Sequence, residues 1–496
     1  MPWRLFESEP PPLFFLRVPS CPSWTTFLIL AVVAGFAAAC SPTRVLVETH
    51  TPTRALAAAT HTLVSLPATV ENLAPVTASA TAQPPHPHTP TLPYPHTPTP
   101  LGPTTLGRIE NFELVGRHAL GGRGWHTGLA LMDQCAYIGN RRLPQIAILD
   151  VSDPTEPVLA NELVLSPGSR PVELRVVPDL RLLVVLNFSA GLTFITFDVS
   201  DCLNPRALGS YGLGAAPHEF YLWRDPAEPA RLLLYAAMYD DLRPDLHVID
   251  LTDPAEPRWL GSWSAPDEGV GGSLHSLSLS RDGRLAYLAL TEGGLLLADA
   301  SDFAEGVAQP RLRILRDASG FTPAPAVAAH SAVPLADPRY VLVTEEVYFC
   351  PYAGLFVANV ETPAHPRIVS RFQLPENVAS CEVQTDPSAI YTAHNPLLVG
   401  DLGFITWYAG GLQALDFSDP LHPDRVGLYV PDGAGAAANS YLGSHPVQLW
   451  SYPILRDGLL YVSDIQSGLH ILRYTGPGAE LVNAVPLAEG NVTLLP

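Results

Sequence analysis

The stretch IAILDVSDPTEP, residues 146–157, is an apolar run that ends in an acidic turn, and it has copies. FITFDVSDCLNP (194–205) and LHVIDLTDPAEP (246–257) follow at intervals of about fifty residues, a period typical of blade-type arrays. LLLADASDF (295–303), LFVANVETPAHP (355–366) and LQALDFSDPLHP (412–423) are weaker copies, and LHILRYTG (469–476) keeps the strand but loses the turn. The chemistry of the turn is simple. Asp and Ser side chains accept hydrogen bonds from nearby backbone N–H groups, and Pro presets φ for the bend, so the strand stops there.

A further apolar run follows each turn, as in PRWLGSW (257–263) and PDRVGLYV (423–430), and two more precede it, as in PLLVGD and GFITWY. Four short strands with turns between them make one blade of a propeller. The expected fold is therefore all-β: a seven-bladed β-propeller over residues 108–477, followed by an irregular tail, 478–496. Residues 303–320 are degenerate, which leaves counts of six or eight blades open. The last blade lacks an outer strand of its own. NFELVGRHAL (111–120) resembles the missing strand and is predicted to complete that blade, closing the ring and removing exposed edges.

The units ILDVSDPTEP, VIDLTDPAEP and ALDFSDPLHP resemble LVIVD repeats, found in secreted or surface-exposed bacterial proteins. TAHNPLLVGDLGFITWYAGGLQALDFSDP and LLYVSDIQSGLHILRY are similar to the closing blades of that family. The fourth and fifth units, with ADASDF and ANVETP, depart from it. The resemblance implies a β-propeller outside the cytoplasm and no settled activity.

FLILAVVAGFAAAC (27–40) suits the apolar core of a signal peptide; its roughly 13 apolar residues fall short of the about 20 a membrane span requires. AAAC resembles a bacterial lipobox, which makes residues 1–40 a leader and Cys40 the site of lipid attachment; Ala37 stands where leucine is commoner. A conventional secretory signal is the alternative. Residues 41–107 read as a disordered Pro/Thr/Ala-rich linker: 72–107 carry no charged side chain, and 84–103 hold nine prolines, a composition that favours an extended spacer. His86, His88 and His96 fall in this spacer and are read as incidental. The expected location is the bacterial cell envelope, lipid-anchored or secreted, with the membrane reached by the lipid alone.

A net charge of −20, from 28 Lys+Arg against 48 Asp+Glu, argues against nucleic acid, since there is no basic surface to displace phosphate counterions. No P-loop, dinucleotide fingerprint or nucleophile elbow is present. The repeated Asp–x–x–Asp turns are read as caps rather than calcium loops, which need more oxygen ligands.

Five histidines, His126, His218, His275, His330 and His394, precede the innermost strand of five units, with Val172 and Ser451 at that point in units two and seven. This aims the imidazoles at one mouth of the central channel. The second strands return to the same rim, bringing Asn140, Asn187, Asp240, Glu292, Glu345, Trp407 and Asp464 there. Imidazoles and carboxylates converging on a point suit a transition metal, although packing at blade junctions explains a repeated histidine equally well. The same mouth suits a surface protein, a peptide or a small polar ligand. The expected role is that of a monomeric binding or scaffold module acting through the channel mouth, and the alternative is a metal-dependent oxidoreductase or hydrolase. Cys350 and Cys381 are expected to pair across loops over that mouth, with Cys135 and Cys202 a second candidate pair.

Overall fold

The computed structural model describes residues 106–188, 193–214, 217–238, 244–378, 388–437 and 442–493, which belong to a single structural unit. The leader with Cys40, the linker, Asp240 and Cys381 lie outside the described residues. Seven sheets follow one another along the chain, each built on four antiparallel strands ordered from the inside outward, with a fifth strand added in three of them. The innermost strands are His126–Met132, Pro171–Val177, Glu219–Arg224, Leu274–Leu279, Ala329–Pro334, Pro396–Val399 and Ile454–Arg456. The protein is thus a seven-bladed β-propeller.

The ring closes as expected. Phe112–His118 pairs antiparallel with Gly468–Tyr474, from Phe112 opposite Tyr474 to His118 opposite Leu469, and so supplies the outer strand of blade seven. Just before it, Ile109–Glu110 adds a fifth strand to the outside of blade six. The degenerate 303–320 region still yields an outer strand: Arg313–Ile314 pairs with Gly294–Asp299 after a short helix, Ser301–Ala304.

Both faces of most strands are buried, because each blade packs against two neighbours. Among the described residues seven large hydrophobic clusters result, each drawn from two adjacent blades: Leu174 and Val185 of blade two meet Tyr137 and Ile148 of blade one, and Leu288 and Leu296 of blade four meet Tyr235 and Val248 of blade three. Burying apolar side chains on both faces of so many strands is the main stabilising term. A disulfide, Cys135–Cys202, adds a covalent tie between blades one and two. Cys350 is also disulfide-bonded.

The acidic turns cap themselves. Asp150 accepts the Ser152 N–H and Asp153 the Thr155 N–H, both at 2.9 Å, and Asp198, Asp250 and Asp416 repeat the first of these bonds.

The segment after residue 477, expected to be irregular, is built into the propeller instead. A short helix, Ala479–Ala484, leads to Leu487–Glu489, which pairs with the inner edge of blade seven, and then to Val492–Thr493, which pairs in parallel with the inner edge of blade three. The edges it covers belong to strands that would otherwise face the channel with unpaired backbone groups.

Candidate metal centre

Four of the five histidines stand in a row. Ring centroids are separated by 4.2 Å from His218 to His275, 4.1 Å from His275 to His330 and 4.1 Å from His330 to His394. Backbone irregularities put two of them there. In blade four the ladder pairs Leu274 with Leu290 and then Ser276 with Ala289; in blade five it pairs Ala329 with Glu345 and then Ser331 with Thr344. His275 and His330 are the extra residues of β-bulges, which re-aim a side chain out of the strict alternation of a strand. Blade two has its bulge at the same point, occupied by Val172.

His126 is one position out of step. It stays paired with Asn140, and the register of blade one shifts only after it, so its counterparts are Leu274 and Ala329. Trp450 separates it from the row: the indole Nε1 donates to the His126 carbonyl at 3.2 Å while its ring lies 5.2 Å from that of His394. Burial, aided by the charge of Arg123, pushes the His126 imidazole down to about 3, so it is neutral at pH 7.

The carboxylates that meet the row are Glu219 and Glu346. Glu346 Oε1 lies 3.1 Å from His394 Nε2, and Oε2 lies 3.6 Å from His275 Nε2 and 3.9 Å from His330 Nε2. Glu219 Oε1 approaches His330 Nε2 to 3.6 Å. All these side chains except His218, which is half-buried, are at most 5% exposed. Two tyrosines hold Glu346: the Tyr408 and Tyr348 hydroxyls donate to Oε1 at 2.5 and 2.7 Å. Around them Tyr408, Leu442 and Ile465 form a small apolar cluster, against which Tyr348, Ile390 and Trp450 pack.

Three expected site residues do other work. Glu345 accepts the Val327 N–H and the Arg371 guanidinium, each at 2.8 Å. Trp407 is core, packed edge-on against Phe372 with centroids 6.0 Å apart. Asp464 gathers the backbone N–H groups of Gln448, Gln466 and Ser467 at 2.5 to 2.9 Å. In blades five and six the side chain at the site belongs to the next residue along, Glu346 and Tyr408, because side-chain direction alternates residue by residue. Asn140 and Asn187 likewise cap their own loops, accepting the Arg142 and Arg170 N–H groups at 2.9 and 2.8 Å, and Glu292 is exposed.

These distances are too long for hydrogen bonds in most cases, yet they fit the edges of a coordination shell. Ligands about 2.1 Å from a tetrahedral ion lie about 3.4 Å from one another. The donor groups fall into two overlapping triads, Glu219/His275/His330 and His330/Glu346/His394, whose ligand atoms lie within 4.8 Å of one another. Each is a two-histidine, one-carboxylate set, which suits Zn²⁺ or Fe²⁺. His330 Nε2 has no hydrogen-bond partner despite complete burial. His394 points the same way: its Nδ1 is bonded at 2.6 Å to the Trp450 carbonyl, which can only accept. With Nδ1 donating, His394 Nε2 faces a carboxylate oxygen 3.1 Å away, and a proton or a metal ion must sit between them.

Electrostatics agree. Burial pushes the His330 imidazole well below its ordinary range, leaving it neutral and able to ligate. Burial, reinforced by the Glu173 charge, pushes the Glu219 carboxyl well up. Beneath the row, Glu489 of the C-terminal segment is likewise raised, to about 8, by burial. Arg175 lies among these groups, bonded to Glu173 at 2.7 Å and 4.0 Å from Glu489. A divalent cation bound among these groups would take the place of the protons that burial otherwise favours.

The fold and the site together define a seven-bladed propeller with a buried histidine–carboxylate cluster in its centre. Residues 127–163, covering most of blade one, match the LVIVD repeat. No curated protein matches the chain. Among solved structures it is similar to Raptor from Chaetomium thermophilum, with 12% identity and a TM-score of 0.47 over 74% of this chain and 30% of that one. It is also similar to Sqt1 from Chaetomium thermophilum, with 13% identity and a TM-score of 0.44 over 73% of this chain and 86% of that one. A chain of a Mitotic Checkpoint Complex gives 11% identity and a TM-score of 0.45, over 81% and 98% of the two chains. The protein spans under a third of the Raptor chain, and likenesses this distant carry no argument about function.

Proposed function

We propose that this chain is a metal-binding β-propeller exported to the cell envelope, whose bound ion is a transition metal held in the channel by His275, His330, His394, Glu219 and Glu346. The observation that carries this reading is His330: a fully buried, neutral imidazole whose unpartnered Nε2 is flanked by two carboxylates at 3.6 and 3.9 Å. A buried polar atom left without a partner is costly, and a cation bound there removes the cost. The leader ending at Cys40 and the proline-rich spacer support the envelope location, with acylation of Cys40 as the anchor. The Cys135–Cys202 disulfide supports export to an oxidising compartment. The binding role expected of the channel mouth moves inward, to an ion rather than a macromolecule, because the cluster lies beneath the surface.

Metal content of the full chain, exported through an oxidising compartment and purified without an affinity tag, tests the reading. One equivalent of zinc or iron is expected, lost in His330→Ala while the fold is retained. No metal after incubation with each ion would overturn it. A second reading, a metal-dependent oxidoreductase or hydrolase, is favoured by the three-ligand triads, since catalytic sites keep a position open for water or substrate. Burial of the cluster limits any substrate to a few atoms.

A further inference from the structure

Beneath the histidine row, a chain of hydrogen bonds runs across the channel between three blades. Tyr452, at the entry to blade seven, donates its hydroxyl to Glu219 Oε2 of blade three at 3.1 Å. Its oxygen lies 3.2 Å from the Ser331 hydroxyl of blade five, and Ser331 Oγ lies 2.8 Å from Nδ1 of its neighbour His330. Each hydroxyl has a single proton. With the Tyr452 proton on the Glu219 carboxylate, the Ser331 proton goes to the Tyr452 oxygen, and Ser331 Oγ then accepts from His330 Nδ1–H. The imidazole is left with its lone pair on Nε2, the atom that faces both carboxylates.

The C-terminal segment holds this arrangement from below. Gly490 passes so close to Tyr452 that a Cβ there would lie 2.4 Å from the phenol ring. The Arg175 guanidinium lies over that ring, 4.8 Å from its centroid, and 4.0 Å from Glu489. Asn491 donates to the carbonyl of Phe220, the residue after Glu219, at 2.8 Å. Tyr452 therefore has one place to put its hydroxyl.

We infer that Tyr452 and Ser331 are positioning residues of the metal site: they fix His330 as an Nε2 donor and Glu219 as the facing carboxylate without touching the ion. This rests on the metal-binding reading and names residues that reading does not require. Outer-shell partners of this kind are worth 10- to 100-fold in metal affinity in other sites, roughly speaking.

The test is Co²⁺ binding to the full chain, followed by its visible absorption and by competition with a chelator. Tyr452→Phe and Ser331→Ala are each expected to weaken Co²⁺ by about 10-fold or more and to change the absorption bands. The double variant should be no weaker than either alone, since one missing link breaks the chain. Ser331→Thr, which keeps the hydroxyl, should restore affinity and spectrum, and it guards against a simple folding defect. Wild-type affinity and spectrum in Tyr452→Phe would overturn the positioning role and leave the metal site standing. No Co²⁺ binding by the wild type would overturn both.

Discussion

At the scale of single residues, the site is decided by which of two neighbours faces it. Glu345 and Glu346 are adjacent and both buried, but Glu345 is tied to Arg371 and the Val327 N–H, whereas Glu346 faces three imidazoles. Their substitutions should therefore separate. Glu345→Gln is expected to cost about 1–3 kcal/mol of stability and leave metal content unchanged, as the Arg371 partner is lost. Glu346→Gln is expected to abolish binding with the fold intact. Thermal melts beside metal analysis check the pair, and equal metal loss in both would show that the ladder register assigned to blade five is wrong.

The histidines were legible from the sequence because the repeat aligns them to within a residue, but bulge positions are not written in hydrophobic alternation. His275 and His330 are re-aimed by bulges, whereas in blade one the shift falls one step later and His126 drops out. The same one-residue uncertainty pointed to Glu345 and Trp407 where Glu346 and Tyr408 act. Glu219 was missed for a different reason. It sits within an innermost strand next to His218, and its carboxylate meets Tyr452 and His330 only because blades three, five and seven converge on the axis.

At the scale of elements, the repeated strands and the closing Phe112–His118 strand followed from pattern alone, since the acidic turns and apolar runs recur and the final unit lacked an outer strand. The C-terminal segment did not. Its strands, Leu487–Glu489 and Val492–Thr493, are too short to show a period, and their partners lie in blades seven and three. Gly490 is the small residue between them. A Cβ there would also meet the Pro396 carbonyl oxygen at 2.7 Å, so Gly490→Ala must shift either the segment or Tyr452. Overpacking of this kind costs about 1–3 kcal/mol. A lowered melting temperature is expected, together with faster loss of metal to a chelator. An unchanged melt would mean that the segment does not dock against Tyr452 in solution.

At the scale of the whole molecule, seven two-sided blades close into a ring around one centre. Each blade contributes its innermost strand to that centre, and the channel is where Arg175, Glu219, His330, Glu346 and Tyr452 from four blades come within reach of one another. Such a scaffold suits a rigid metal site, because ligands carried on packed strands are better positioned than ligands on loops. The most direct measurement is anomalous X-ray scattering from crystals of the metal-loaded full chain. A peak about 2.1 Å from His330 Nε2, with Glu219 or Glu346 in the same shell, is the expected result. A loaded protein whose only peak lies elsewhere, for instance on His422 and Asp419 at the surface, would contradict a metal-binding role for the channel.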